Sequence, residues 1–471
     1  MQQELSKKTK NLIVFVMIIG CFFSALNQTL LNVALPHLMK VFDVSPDTIQ
    51  WLTTGFMLVN GVLIPLTAYL MKRFTTRDLF ICSITLLLVG SIICAAAPSF
   101  NVLLIGRMIQ AAGAAIILPL MMTVILYLYP SEERGSVMGK IGFAIIFAPA
   151  IAPTLSGLVI DYTSWRWLFI GMIPISILII FLAWKLLVNV TETENAKLDI
   201  GSMLLSTTGF ALLLFGFSSA GSKGWSDPIV WSTTLIGLII VSIFCRVQIR
   251  SNNPLLNLNV FHYRMFSITT IINVVVTILM YADLILLPMF LQDSRGFTAL
   301  QAGILLFPGA AINAALSPVT GILQDKYGPK PLFFIGISLV AVSMLAVTNL
   351  TEATPYLYLL LRTVVLRIGL SFITMPLNAA ALNSLPLELG SHGSAVNNTI
   401  RQLAGAMGTA VVITVYSIQT KAHYHEHDAT VLATNDAYKL MFIISLLALI
   451  VVFFVPGRKK ELELEQHIRR D

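Results

Sequence analysis

The chain has 471 residues, of which 56% are hydrophobic and 11% are charged, and its mean hydropathy is +0.84. Soluble domains carry roughly 25% charged residues, so this composition excludes a soluble protein and indicates a polytopic membrane protein. The net charge of +7 does not indicate nucleic-acid binding, because the basic residues stand between apolar runs, where they orient membrane spans. The cysteines lie within apolar segments at unrelated spacings and predict neither disulfides nor a metal site.

The apolar runs predict an all-α polytopic fold with fourteen transmembrane helices, since an open sheet cannot satisfy its backbone hydrogen bonds in lipid. The runs lie at residues 11–35, 48–71, 78–97, 101–129, 135–160, 165–187, 198–220, 229–249, 266–291, 299–323, 331–349, 356–382, 392–418 and 438–455. The first run follows Lys7, Lys8 and Lys10 but continues past signal-peptide length without a small-residue cleavage site. We therefore predict that it is the first span.

Most Lys and Arg residues lie at the two termini and in the loops that follow even-numbered spans, with Arg401 counted in the loop after span 12. The opposite loops hold only Lys40, Arg166, Lys223, Arg295, Lys421 and Lys439. The positive-inside rule then places both termini in the cytoplasm.

A weak internal repeat divides the chain. The loop after span 2 reads AYLMKRFTTR (68–77) and the loop after span 10 reads GILQDKYGPK (321–330), with Lys72 and Asp325 in matching places. We predict an N-terminal six-helix bundle at 1–190, two linker helices at 191–262 and a C-terminal six-helix bundle at 263–471. Two such halves can rock as bodies around a central site.

Small residues recur every fourth position in two spans. They are Ala144, Ala148, Ala152 and Ser156 in span 5, and Gly309, Asn313, Ser317 and Gly321 in span 10. Small residues on one face let helix backbones approach closely. We expect these two faces to form the interface between the halves.

Span 9 carries Asp283 well inside its apolar run. A carboxylate at such depth costs about 2.5–3.5 kcal/mol, so we interpret Asp283 as functional; a structural carboxylate bound to an arginine is the alternative. Arg107, Arg362 and Arg367 lie in the same outer half of the membrane. We hypothesise that Asp283 takes up a proton when the protein opens outward and releases it when an arginine approaches in the inward-facing state.

Ser24, Gln28 and Asn32 form a polar stripe down span 1, because residues four apart share a helix face. The stripe predicts hydrogen bonds to a substrate in a central cavity or, alternatively, contacts between helices. Methionine and aromatic side chains suit loosely specified apolar ligands. The further candidate substrate contacts are Asn27, Gln110, Phe147, Asn273, Met280, Tyr281 and Asn378.

Several segments together resemble the fourteen-span drug/proton antiporters of the major facilitator superfamily. They are LNQTLLNVALP (26–36), GRMIQAAGAA (106–115) with the family's buried arginine at Arg107, APAIAPTLSG (148–157), GILQDKYGPK (321–330) and HGSAVNNTIRQLAGAMGTA (392–410). The resemblance covers most of the chain and implies alternating access. It also implies gating roles for Pro149, Pro153, Gly157, Asp325 and Gly328.

The chain departs from the family pattern at several positions. The family commonly has an acid near Asn27 or Gln28, where both residues here are amides that carry no proton. Lys72 stands where an aspartate is usual, Thr75 where a glycine is usual, and Ala152 replaces a glycine. These changes leave Asp283 as the only carboxylate deep in a predicted span.

The remaining motifs bear on metal binding and energy source. His423, His425 and His427 have spacings that suit zinc or copper, although the composition of a solvated loop explains them equally well, and we assign no metal or cofactor. The sequence lacks a G-x-x-x-x-G-K-[ST] phosphate loop and a soluble domain able to hydrolyse a nucleotide. We therefore expect a gradient-driven transporter and not an enzyme.

The resulting prediction is a proton-coupled multidrug efflux transporter in the cytoplasmic membrane of a bacterium. Its expected partners are a small lipophilic drug-like substrate, protons and membrane lipid, with no nucleic acid, and we expect a monomer. The alternatives are an exporter of an endogenous lipid, peptide or anionic or zwitterionic amphiphile, a polytopic membrane enzyme, and a transport-dead membrane sensor.

Overall fold

The computed structural model describes residues 6–44, 46–49, 51–190, 199–251, 254–297, 299–422 and 429–456, and it contains helices and no strand within those residues. Thirteen of these helices are long and apolar enough to cross a membrane, and Pro329–Leu345 is a shorter apolar helix of 17 residues. A helix of that length spans about 25 Å, near the lower limit for a membrane crossing. It occupies the place of the predicted run 331–349, and the predicted all-α polytopic fold is confirmed.

The N-terminal part contains nine α-helices among its described residues. They are α1 (Lys7–Leu30), α2 (Leu35–Phe42), α3 (Pro46–Ile49), α4 (Trp51–Arg73), α5 (Thr76–Ala95), α6 (Phe100–Leu128), α7 (Ser131–Tyr162), α8 (Trp167–Ile170) and α9 (Met172–Leu186). The short helices α2 and α3 lie between the first two spans. Helices α8 and α9 follow each other closely and together take the position of the predicted sixth span.

The inserted pair and the C-terminal part follow. The inserted helices are α10 (Ile200–Lys223) and α11 (Pro228–Arg250). The C-terminal helices are α12 (Arg264–Met289), α13 (Ala299–Tyr327), α14 (Pro329–Leu345), α15 (Tyr356–Ser371), α16 (Thr374–Asn383), α17 (Leu387–Ala422) and α18 (Ala429–Phe453). Helices α15 and α16 are one interrupted span, because Pro376 lacks the N–H that would bond the carbonyl of Phe372.

Most buried apolar side chains cluster with others of their own half. The largest cluster lies among α12 to α18, and the next joins α1, α4, α5, α6, α7 and α9 with Ala379 and Leu382 of α16. Another cluster includes Val62 of α4, Phe210 of α10 and Val396 of α17, and so connects both halves with the inserted pair. The domain boundaries at 190 and 262 stay a prediction.

The inserted pair lies against the seam between α4 and α17. Helix α10 packs on both of these helices, and α11 packs on α10. The rings of Trp51 and Phe215 stack with centroids 5.9 Å apart, and Trp225 Nε1 donates to Thr414 Oγ1 at 2.5 Å. Helix α10 therefore contacts both halves of the molecule.

Polar contacts at one end fix α10 to α11. The Ser202 hydroxyl donates to Asp199 Oδ2 at 2.5 Å and accepts from Gln248 Nε2 at 2.7 Å. Gln248 Oε1 accepts from the backbone N–H of Leu256 at 3.2 Å. The hydrogen bonds from Ser202 hold the pKa of the Asp199 carboxyl below its ordinary value, so this helix cap stays charged near neutral pH.

Candidate functional site

The two halves meet most closely where α7 packs against α13. A Cβ added at Gly135 would lie 2.7 Å from the carbonyl oxygen of Gly321, and one at Gly139 would lie 2.5 Å from that of Ser317. A Cβ at Gly142 would lie 2.1 Å from Ser317 Oγ and 2.4 Å from Met375 Cγ. These separations are too short for a side chain, so glycine is required for this packing. With the orientation predicted from the charges, the contact lies at the cytoplasmic ends of both helices.

Polar groups connect the halves at the same end. The Asp325 carboxylate accepts from the backbone N–H of Gly135 at 2.8 Å and from that of Ser136 at 2.7 Å. Arg134 Nη1 donates to Asn383 Oδ1 at 2.9 Å. A carboxylate near a helix N-terminus is favoured by the backbone dipoles. These contacts link α7 to α13 and α16, and they close the cytoplasmic side.

The turn that follows α13 depends on Gly328. Its φ of 79° lies in the left-handed region, which glycine adopts without the steric cost of a Cβ. Pro329 then begins α14, where a missing N–H costs no helical hydrogen bond. Gly328 thus positions the loop after Asp325, and it takes no part in the hydrogen bonds between the halves described above.

Exposure rises along both facing helices away from this end. On α7 the stripe of Gly139 and Gly142 continues through half-buried Ile146 to exposed Pro149. On α13 the stripe of Ser317 continues through half-buried Ala310 to Phe307, which is 43% exposed. A Cβ at Gly303 or Gly157 would meet no atom within 4 Å. The contact between α7 and α13 is therefore tightest at the cytoplasmic end, and this conformation is closed to the cytoplasm.

The expected interface of two small-residue stripes is partly wrong. Ala148 and Ala152 are buried in a cluster with Leu30 and other residues of the N-terminal half, because that face of α7 packs on α1. On α13, Gly309 faces Arg367 of its own half. Only the cytoplasmic part of the α13 stripe, at Ser317 and Gly321, meets the opposite half.

Asp283 is fully buried in the C-terminal half, where α12, α15 and α18 meet. Its carboxylate pairs with Arg362 Nη1 and accepts from the Tyr438 hydroxyl at 3.1 Å. Oδ2 has no hydrogen-bond partner among the described residues. Arg362 also donates from Nε to the carbonyl of Ser343 at 3.0 Å. The ion pair thus exists while the cytoplasmic side is closed, whereas the sequence analysis placed it in the inward-facing state.

Arg367 lies near this pair without forming a second one. It interacts electrostatically with Asp283 and Arg362, and its Nε has no partner among the described residues. One carboxylate therefore lies near two guanidinium groups. The local charge changes from +1 to +2 when Asp283 is protonated.

Arg107 is the centre of a polar cluster in the N-terminal half. Its Nη1 donates to the side-chain oxygens of Asn27 and Gln110 at 3.0 Å each, and its guanidinium carbon lies 4.4 Å from the ring centroid of Phe56. Gln110 Nε2 donates to Ser91 Oγ at 2.9 Å. Asn27, Gln110 and Arg107 are all buried, so the amides predicted to contact substrate here bind the arginine instead.

A small cavity lies among α12, α16 and α17. Its lining includes Asn273, Thr277, Met280, Thr374, Asn378 and Arg401. Asn273 Nδ2 donates to Asn397 Oδ1, and Asn397 Nδ2 donates to Asn378 Oδ1, both at 2.7 Å. The structure thus brings together Asn273, Met280 and Asn378 of the predicted substrate contacts.

Arg401 also lines this cavity and was not among the predicted site residues. Counting it with the loop after span 12 was wrong, because it is the fifteenth residue of α17, which runs from Leu387 to Ala422. The signal was present, since Arg401 lies well inside the predicted run 392–418. An arginine within an apolar run is rare and indicates function.

The other predicted residues lie apart from this cavity or outside the description. Phe147 stacks on Phe143 with ring centroids 5.4 Å apart, and Tyr281 packs against Gly405. Gln28 is half-buried on α1. The side chains of Asn32 and Pro153, and residues His423, His425 and His427, lie outside the described residues.

Comparison with known proteins decides the family. Residues 17–409 match the family model of the Major Facilitator Superfamily. The chain belongs to the major facilitator superfamily. The uncharacterized MFS-type transporter YhcA of Bacillus subtilis (strain 168) is 46% identical over 424 residues, covering 90% of this chain and 80% of that protein. The lincomycin resistance protein LmrB of the same strain is 38% identical over 463 residues, covering 95% and 96%.

A solved structure supports the same fold. The human organic anion transporter MFSD10 superposes with a TM-score of 0.69 at 15% identity, covering 94% of this chain and 99% of that chain. At this identity the likeness shows the fold alone. The family membership makes the chain a multi-pass transporter of the cell membrane and not an enzyme, and it confirms the resemblance to the superfamily's drug-efflux members.

Proposed function

We propose that this transporter exports lipophilic drug-like compounds in exchange for protons, by alternating access between its two halves. The observation that carries the proposal is the glycine-mediated closure at the cytoplasmic ends of α7 and α13. An exporter must close its cytoplasmic side in this way before it releases substrate outside. The name of LmrB as a lincomycin resistance protein supports export of a drug and makes lincomycin the first compound to test.

The proton in this proposal is carried by Asp283, the one fully buried Asp or Glu among the described residues. Val276 lines the C-terminal cavity and lies seven residues before Asp283, so the two side chains point in similar directions about 10 Å apart along α12. Protonation removes the charge that holds Arg362 in place. The resulting rearrangement of α12 and α15 reaches the cavity wall directly.

The driving force depends on the charge of the substrate. Exchange of one proton for one monovalent cation moves no net charge and is driven by the pH gradient alone, about 1.4 kcal/mol per pH unit. Exchange for a neutral compound also uses the membrane potential, about 2.3 kcal/mol per 100 mV. Both quantities can be varied independently in vesicles.

The experiment is a drug-susceptibility panel, including lincomycin, in cells that carry the native chain, Asp283→Asn or no transporter. We expect the native chain to raise resistance, a protonophore to abolish cellular export, and Asp283→Asn to behave like the empty cell at equal membrane abundance. Resistance that survives in Asp283→Asn contradicts the assignment of the proton. A native chain without effect on any compound contradicts drug export.

A further inference from the structure

We propose that the C-terminal cavity binds an anionic group of the substrate, a carboxylate or a phosphate, through the guanidinium of Arg401. The inference rests on the proposed export function and names the class of compound that the cavity takes. Acidic amphiphiles are that class.

Arg401 lies deep in the membrane. It follows the cytoplasmic start of α17 by fourteen residues, or about 21 Å, and it lines the cavity with Asn273, Thr277 and Asn378. No hydrogen bond or ion pair of its guanidinium is found within the described part of the chain. A charge at this depth normally has a partner, because its desolvation is costly.

The neighbouring amides do not supply that partner. The Asn273 oxygen accepts from Thr277 at 3.3 Å, the Asn397 oxygen from Asn273 at 2.7 Å, and the Asn378 oxygen from Asn397 at 2.7 Å. Each of these amide oxygens thus already accepts a hydrogen bond from a neighbouring side chain. These hydrogen bonds also hold α12, α16 and α17 in a fixed arrangement, so the cavity wall beside the guanidinium is formed before a ligand arrives.

No acidic side chain lines the cavity in the described residues. Asp283, the buried acid, is bound to Arg362, and Arg107 is surrounded by amides and an aromatic ring. Three of the four arginines Arg107, Arg362, Arg367 and Arg401 therefore lack a direct carboxylate partner. An anionic group on the ligand supplies the charge that Arg401 lacks.

Two dyes with the same xanthene ring system test the inference: fluorescein, which is anionic, and rhodamine 123, which is cationic. Binding to the purified full-length chain in phosphatidylcholine nanodiscs is measured by fluorescence anisotropy for the native chain, Arg401→Gln and Arg401→Lys. Arg295→Gln is the matched control, because Arg295 lies outside the cavity beside Phe297. We expect Arg401→Gln to weaken fluorescein binding roughly 10- to 100-fold, Arg401→Lys to retain more of it, and rhodamine binding not to weaken.

Equal fluorescein affinity in the native chain and Arg401→Gln overturns the proposal, as does an equal loss for both dyes. If Arg401→Gln does not fold, competition in the native chain decides: benzoate must displace fluorescein, and benzylamine must not. Nanodiscs with added phosphatidylglycerol distinguish a free anionic compound from a lipid headgroup as the ligand. Displacement of fluorescein by this lipid would show that the site also binds a headgroup. Binding is measured without transport, so failed drug export with intact fluorescein binding contradicts only the proposed function.

Discussion

The Asp283 carboxylate and the Arg362 guanidinium are both almost completely removed from solvent. Removing one partner of such a pair leaves an uncompensated charge and costs about 3–5 kcal/mol, whereas replacing both by apolar residues is often neutral. The Tyr438 hydroxyl adds a further hydrogen bond to the same carboxylate oxygen. The pair therefore fixes the junction of α12, α15 and α18 whether or not it also carries a proton.

We predict that Asp283→Asn lowers the thermal midpoint of the purified protein, and that combining Asp283→Leu with Arg362→Leu restores most of the loss. The reason is that the double variant removes both charges of the pair together, so neither is left without its partner. Unfolding followed by tryptophan fluorescence in detergent measures this. A double variant that is less stable than Asp283→Asn would show that the side chains are not coupled as described.

Single residues were predictable where they broke a local rule. Asp283 and Arg107 interrupt apolar runs, and such interruptions are rare in a chain selected for membrane insertion. The partner of Asp283 was not predictable, because Arg362 and Arg367 are five residues apart and only the packing of α15 on α13 and α14 directs one of them, Arg362, toward Asp283. Arg401 was missed by assigning it to a loop.

Helix α7 carries two small-residue faces, and they have different partners. The alanine face packs on α1 within its own half, and the glycine face packs on α13. Four-residue spacing predicts close approach to some helix, but it does not say which one. The three-dimensional arrangement assigns the interface to Gly135, Gly139 and Gly142, which lie nearer the cytoplasm than the predicted stripe.

We predict that Gly139→Ala opens the cytoplasmic contact, because its Cβ would lie 2.5 Å from the carbonyl oxygen of Ser317 and 2.8 Å from Pro318 Cα. Both are backbone atoms that cannot turn aside, and such overpacking costs about 1–3 kcal/mol. Labelling of Ala310→Cys by an impermeant maleimide from outside, in a background without native cysteines, should slow roughly tenfold.

The control for this variant is Gly224→Ala in the same background, since a Cβ there meets no atom within 4 Å, although its φ of 79° strains the turn between α10 and α11. That strain lies away from α7 and α13. Unchanged labelling in Gly139→Ala, or equal slowing in both variants, would contradict the role of the glycine face.

Asp325 gives a second prediction for the same contact. Replacing it by Ala removes the acceptors of the Gly135 and Ser136 N–H groups, whereas Asn keeps one oxygen without the charge. A charge at a helix N-terminus contributes about 0.3–1 kcal/mol at exposed positions. We expect outside labelling of Ala310→Cys to slow several-fold in Asp325→Ala and less in Asp325→Asn. The reverse order would show that the carboxylate does not stabilise closure.

The complete molecule was predicted well in its topology and poorly in its packing. Run length and charge distribution predicted the helical spans, including Pro329–Leu345, because the bilayer constrains length, backbone bonding and charge directly. The position of α10 across the seam between α4 and α17 was not predictable. A helix face that contacts lipid and a helix face that packs on protein are both apolar, so the sequence does not distinguish them. The conformational state likewise depends on contacts between halves that no local pattern encodes.

The proposed mechanism exchanges each exported substrate molecule for a proton that Asp283 carries. The most direct test is the number of protons that enter a proteoliposome lumen or leave it per lincomycin molecule transported, measured with a trapped pH dye and radiolabelled drug. The native chain is expected to move protons against drug, and the folded double variant Asp283→Leu with Arg362→Leu is expected to move none. Proton movement by that variant at the native ratio would contradict the account.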